Sequence, residues 1–255
     1  SSRFLGKIKQ FAIVGDNGET LIERSLKQAL PAGFTKIIFI VGNKTEIPFK
    51  EKFGNNYKGI PICYARQFYD ETKRDRPWGS TDSICSAKSF IDCPFVVCNG
   101  DDLYGENSFR ILTEHLKKYD TCATLGFKLG TCIPGQGKTN RGIFKTEGNL
   151  ITEIKENFEI EKSLLAEKNL TENSLCSMNI FALQPEVLIG LSNILQEFKE
   201  KNKDDRKIES LLPENISSLI NQKKIIMNLY PTPDLWMGVT NPGDEDVVRE
   251  KLRKI

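Results

Sequence analysis

Short β-branched runs alternate with amphipathic stretches along residues 20–129, and that alternation constrains the fold more than any other feature. KIIFIVG (36–42), IPICYARQ (60–67), PFVVCN (94–99) and TCATLGFKL (121–129) read as strands. Between them, Leu21, Ile22, Leu26 and Leu30 fall at helical spacing, with Gly33 as a stop. STDSICSAKSFI (80–91) reads as a helix with Ser80 or Thr81 near its N-cap, and NSFRILTEHLKKY (107–119) as one with Ile111, Leu112 and Leu116 on one face. Strand–helix–strand repetition predicts a three-layer α/β/α fold around a mostly parallel sheet, with strand C-termini and ligand on one edge. A strand is expected before SSRFLGKIKQF, where the chain shows none.

After residue 130 the texture changes. GQGKTNRG is a polar loop, and RGIFKTEGNLITEIKE reads as a hairpin turning at Glu147-Gly148-Asn149. SLCSMNIFAL (174–183) reads as one strand. PEVLIGLSNILQEFKEKNK is an amphipathic helix, and IESLLPENISSLINQ a helix broken at Pro213. KIIMNLY and LWMGVT read as strands, and GDEDVVREKLRKI as a closing helix. No clear linker divides the chain. The reading is a single domain over 1–255, with a change of texture near residue 130.

Composition excludes several chemistries. The net charge is +2, which indicates neither nucleic acid nor a membrane surface as partner. No apolar run spans a bilayer, and no secretory signal is present. Seven scattered cysteines, without C-x-x-C or zinc spacing, read as free thiols in a reducing, cytoplasmic compartment. The one histidine, His115, lies among charged residues and is expected on a solvated helix face. Its scarcity argues against Ser-His-Asp triads and His-rich metal sites.

What chemistry remains centres on CNGDDLYG (98–105). Asp101 and Asp102 close a central strand at the ligand edge, where adjacent carboxylates favour a cation or a hydrogen-bonded turn. Gly100 would let backbone approach a ligand. In RPWGSTDSI (76–84), Trp78, Gly79, Ser80 and Thr81 offer a ring, N–H groups and hydroxyls at a helix start. Arg3, Lys7 and Lys9 form a basic cluster suited to a triphosphate. The plainer alternatives are an acidic turn, an N-cap with a structural tryptophan, and a solvated basic terminus.

The ordered set SSRF, KQF, NGETLIE, RPWGSTDS, CNGDDLYG, NRGIF, SMNIFAL and W-x-GVT resembles the sugar-1-phosphate nucleotidyltransferases, in their branch with an N-G-D-D-x-Y-G motif. The resemblance implies a Rossmann-like nucleotide-diphospho-sugar transferase fold. It implies Mg²⁺-dependent attack of a sugar 1-phosphate on the α-phosphorus of a nucleoside triphosphate, releasing pyrophosphate. On that resemblance Arg3 and Lys9 contact the phosphates, and Gln67 with Gly79–Thr81 read base and ribose. Asp101 binds Mg²⁺, while Asp102 orients the turn. Tyr104 stands in the same motif. Arg141 and Gly142 lead into the sugar site, Glu156 binds sugar hydroxyls, and Asn179 lines the pocket.

The chain departs from that pattern at two places. Glu156-Asn157-Phe158 lacks the usual lysine after the glutamate, leaving Lys155 or Lys162 to hold the sugar phosphate. Met237 and Gly238 follow Trp236 where an aspartate is usual, leaving Asp234 or Asp244 as second metal ligand. Three other readings stay open. A phosphocholine cytidylyltransferase would need an aromatic cage, with Trp78, Tyr104, Phe144, Phe158 and Trp236 as candidate walls. The others are a silent binding paralogue and a nucleotide-sugar-using glycosyltransferase; the latter would favour D-x-D over adjacent aspartates. Nucleobase, sugar and oligomeric state are not legible in the sequence.

Overall fold

A computed structural model describes residues 8–134, 137–239 and 243–253. The first half runs α1 (Leu21–Ala29), β1 (Ile37–Val41), α2 (Glu46–Phe53), β2 (Asn56–Tyr57), β3 (Ile60–Arg66), α3 (Ser80–Ser86), β4 (Phe95–Val97), β5 (Asp102–Leu103), α4 (Glu106–Lys118) and β6 (Cys122–Lys128). The second half runs α5 (Leu129–Cys132), β7 (Thr139–Glu147), β8 (Leu150–Ile160), β9 (Leu175–Cys176), β10 (Phe181–Leu183), α6 (Val187–Lys201), α7 (Leu212–Asn221), β11 (Met227–Pro231), β12 (Met237–Gly238) and α8 (Asp244–Leu252). Among the described residues no helix is long and apolar enough to cross a membrane.

The layers follow from side-chain alternation on β6 and β10. Ala123, Leu125, Phe127 and Ala182 face Phe109 and Leu112 of α4. Phe181 and Leu183 face the opposite way, onto Leu188 and Leu191 of α6 and Ile216 and Leu219 of α7. Each fully buried leucine contributes about 1.5–3 kcal/mol relative to exposure, so both faces hold the sheet.

The sheet is mixed rather than mostly parallel. β10 runs antiparallel to both β4 and β6, which therefore point the same way without touching. In the seven-stranded sheet the β11–β6 ladder is parallel, whereas β7–β8, β6–β9 and β7–β9 are antiparallel. β1 and β3 form a parallel pair in a separate three-stranded sheet with β2. A cavity of about 520 Å³ separates β1 from β4, lined by Ile37–Ile40, Pro94–Cys98 and apolar side chains of α1, α3 and α4. Neither facing edge has a ladder partner among the described residues.

Three local expectations change. The stretch 174–183 is two short strands, because Asn179 adopts φ 58° and turns the chain between them. Pro213 begins α7 rather than breaking it, since the first turn needs no N–H from that residue. His115 is buried at 3% exposure. Its Nε2 lies 2.9 Å from the Thr121 carbonyl, which can only accept, so Nε2 carries the proton. Nδ1 lies 3.0 Å from the Tyr230 hydroxyl. The ring clamps α4 to β11. The hairpin turn is as expected, with Gly148 at φ 62° and Glu147 opposite Leu150.

Candidate active site

β4 ends at Val97, and the chain then turns through Cys98–Asp101 into β5. The turn separates two carboxylates of different character. Asp101 stays 27% exposed, and its Oδ2 forms an ion pair with Lys9 Nζ. Asp102 is 7% exposed and accepts from Asn99 Nδ2 at 2.9 Å. Burial, with the Asp101 charge beside it, pushes the Asp102 carboxyl up to about 7. Burial and the same two carboxylates push the Cys98 thiol up to about 12, so it is no nucleophile. All seven cysteines are free.

Asp102 is seated by what lies around it. Gly238 of β12 pairs with it across the ladder, and a Cβ there would stand 2.5 Å from its Oδ1. Glycine is thus required where the carboxylate folds over the strand. The Tyr104 hydroxyl lies 3.2 Å from Asp102 Oδ2 and donates to the Met178 carbonyl at 2.8 Å. Tyr104 is fully buried, so it supports the turn rather than touching a ligand. Gly100 leaves room for a Cβ, the nearest atoms being 3.8 Å away, so packing does not demand it.

From Met178 the contacts lead to the second half. The Ser177 N–H donates to the Gly142 carbonyl at 2.8 Å, and Asn179 is exposed beside it. Glu156 pairs with Gly142 in the β7–β8 ladder and lays its carboxylate over it. Burial raises the Glu156 pKa above the ordinary carboxylate value, and the Glu214 charge at the start of α7 adds to this. Arg141 donates to the carbonyls of Asn140 and Cys132 and lies 5.3 Å over the Trp236 ring. Its Nε and the Trp236 Nε1 are buried without partners among the described residues. Lys162 pairs with Glu172, while Lys155 is exposed.

The Gly-Ser-Thr turn lies against Ser210 and the start of α7. Its hydroxyls are engaged within the protein: Ser80 Oγ accepts from Leu212 N at 2.8 Å, capping α7, and Thr81 Oγ1 accepts from Asn215 Nδ2 at 2.7 Å. Gly79 adopts φ 100°, and a Cβ there would meet the Ser210 carbonyl at 2.5 Å. Gln67 donates to Gly79 O at 3.0 Å and Asp82 Oδ2 at 2.8 Å, so both amide hydrogens hold the turn. The Trp78 ring carries the Arg74 guanidinium on its face at 3.4 Å.

Asp234 is a structural cap. Its Oδ2 accepts from Ser108 N at 2.7 Å and its Oδ1 from Asn107 Nδ2 at 3.0 Å, in the first turn of α4. It fills the space where Gly105 lacks a side chain. Each oxygen thus accepts one hydrogen bond from the start of α4. Asp244 opens α8. Arg3 lies outside the described residues. Among the described residues no three His, Cys, Asp or Glu side chains cluster as a metal cage. The donor set that exists, carboxylate oxygen at Asp101 beside Asp102, suits a hard cation sharing phosphate oxygens.

The structure pairs Lys9 with Asp101 beside Asp102 at the C-terminal end of β4, and groups Gly142, Glu156 and Ser177 separately, the Tyr104–Met178 bond leading from one group to the other. Tyr104 is fully buried, Trp78 carries Arg74 on its ring, and Asp234 caps α4. Asn99, Glu214 and Asp82 were not singled out from sequence. Asn99 stood beside the aspartates and was readable; the other two are placed only by distant packing.

Residues 6–242 match the Nucleotidyl transferase family, and the chain belongs to it. A Bacillus anthracis protein described as a glucose-1-phosphate thymidylyltransferase is similar in fold, at TM-score 0.68 and 14% identity, over 97% of this chain and 87% of that one. A UDP-glucose pyrophosphorylase with UDP-glucose matches at TM-score 0.64 and 16% identity, over 97% and 91% of the two chains. The inositol-1-phosphate CTP transferase of T. maritima matches at TM-score 0.64 and 12% identity, over 96% and 87%. None of the curated sequences gives a match.

Proposed function

We propose that this enzyme condenses a nucleoside triphosphate with a sugar 1-phosphate, yielding a nucleoside diphosphate-sugar and pyrophosphate, with Mg²⁺ as cofactor. The observation that carries the reading is the Lys9–Asp101 pair at the end of β4, in a chain of the nucleotidyl transferase family. An oxygen of the acceptor phosphate bonds to the α-phosphorus as the bond from that phosphorus to the pyrophosphate oxygen breaks. The attacking oxygen is already deprotonated, so no histidine base is needed, in keeping with the burial of His115. Catalysis is positioning and charge neutralisation.

Asp101 would hold the Mg²⁺, which when bound neutralises phosphate charge. Lys9 rests on Asp101 and is the cation to exchange onto the triphosphate; Arg3 is proposed beside it. Residues 1–130 supply mainly the nucleotide side. Residues 131–255 supply mainly the acceptor side, where Glu156 and Asn179 meet sugar hydroxyls. The phosphocholine alternative is not favoured: Tyr104 has no exposed surface and Arg74 covers the Trp78 face, so two of the five walls are spent.

Pyrophosphate release is measured for each of the common nucleoside triphosphates against a panel of sugar 1-phosphates and phosphocholine, with Mg²⁺. One sugar 1-phosphate pairing should turn over. Asp101→Ala should lose at least about a hundredfold in kcat with an unchanged fold. Turnover confined to phosphocholine would replace the acceptor, and no turnover with any pair would leave a binding paralogue.

A further inference from the structure

Two stretches, 70–81 leading into α3 and 202–215 leading into α7, are fastened together although about 130 residues apart in sequence. Backbone bonds run from Asp75 N to Arg206 O at 3.0 Å, Ser210 N to Trp78 O at 2.7 Å and Thr81 N to Ser210 O at 3.1 Å. At the centre lies Arg74, a cation only 3% exposed. It has no carboxylate partner among its hydrogen bonds. Instead Nε donates to Arg76 O at 3.2 Å, Nη1 to Asp205 O at 2.6 Å and Nη2 to Ile208 O. Its plane lies 3.4 Å over the Trp78 ring. A buried guanidinium is tolerated only when its N–H groups are satisfied, and this one spends them joining the two stretches.

What the joint fixes is the Gly79 turn. That turn cannot choose its own position: Gly79 is held at φ 100° against the Ser210 carbonyl, and its two hydroxyl neighbours bond to α7. We infer that Arg74 is a positioning residue for the nucleotide, holding the Trp78–Thr81 turn in place through residues 205–210 without touching the ligand itself. The inference rests on the nucleotidyltransferase reading above. Among the described residues nothing near Asp101 or Glu156 contacts Arg74 by hydrogen bond, so the acceptor side should be insensitive to it.

The test compares the wild type with Arg74→Met and Arg74→Lys. ATP, CTP, GTP, UTP and dTTP are titrated with Mg²⁺, and KM for nucleotide, KM for acceptor and kcat are separated. Methionine keeps the packing over Trp78 but removes every donor; lysine keeps the charge but not the planar fork. Arg74→Met should raise the nucleotide KM about tenfold or more, with acceptor KM and kcat within about threefold, and Arg74→Lys should fall between. If Arg74→Met fails to fold, the same ratio of KM changes is read from Arg74→Lys. Unchanged nucleotide KM, or equal changes in both KM values, overturns the role of Arg74 alone. A wild type that takes none of the five nucleotides sinks the nucleotidyltransferase reading, and this inference with it.

Discussion

Glu156 shows how a single residue's environment can cost stability. Its carboxylate lies over Gly142, half-buried, facing the Glu214 charge, and its folded pKa is raised by that burial. The sign follows directly: the folded state holds this proton more tightly than the unfolded one, so stability falls as pH rises from the ordinary carboxylate value through the folded pKa. Glu156→Gln should therefore raise the melting temperature at pH 7–8 and change it little near pH 4. Paired melts of the two proteins across that range check this; a variant that melts lower at pH 8 would contradict it. The same substitution should weaken acceptor binding if the acceptor's hydroxyls meet Glu156. Asp102 illustrates another limit: two adjacent aspartates in sequence look equivalent, and only burial distinguishes the exposed Asp101 from its raised neighbour.

At the scale of elements, helix starts are supplied from far along the chain. α4 has Gly105 at its N-cap, which offers no side chain, and Asp234 provides the acceptor oxygen in its place. α7 begins on Leu212 with Pro213, and Ser80 from α3 accepts its first N–H. α1 is capped locally, with Glu23 accepting the Thr20 N–H at 2.9 Å. Only the α1 signature is a sequence pattern. Asp234→Ala should cost about 1–2 kcal/mol, as loss of an N-cap does. Denaturant unfolding measures the loss, and Mg²⁺-dependence of turnover should be unchanged. A variant with normal stability and altered Mg²⁺ response would return Asp234 to the metal site.

For the whole molecule, the division between sheets decides how it opens. β6 and β10 carry apolar layers on both faces, whereas β1 and β3 adjoin the main sheet across an apolar cavity of about 520 Å³. Lys36 bridges the far end of that cavity to Phe90 O and Asp92. Amides of β1 and β3 should exchange through a lower-energy opening than those of β6 and β10, which should track global unfolding. Native-state hydrogen exchange reads this directly. Uniform protection across both sheets would mean that the cavity does not weaken their joint.

The amphipathic spacing of α1 and α4, the hairpin at Gly148 and the acidic turn after β4 were legible from residues alone. Each rests on local forces: side-chain periodicity, backbone freedom at glycine, or the end of an apolar run. The family resemblance singled out Lys9 and Asp101, and the structure pairs them. Sheet direction, the burial of His115, the capping by Asp234 and the Arg74 joint were decided by tertiary structure. They depend on which distant segments come into contact, and hydrogen-bond partners more than a hundred residues apart leave no periodic trace. A charged residue such as Arg74 or Asp234 reads as surface in sequence because its burial is favourable only once those partners are assembled around it.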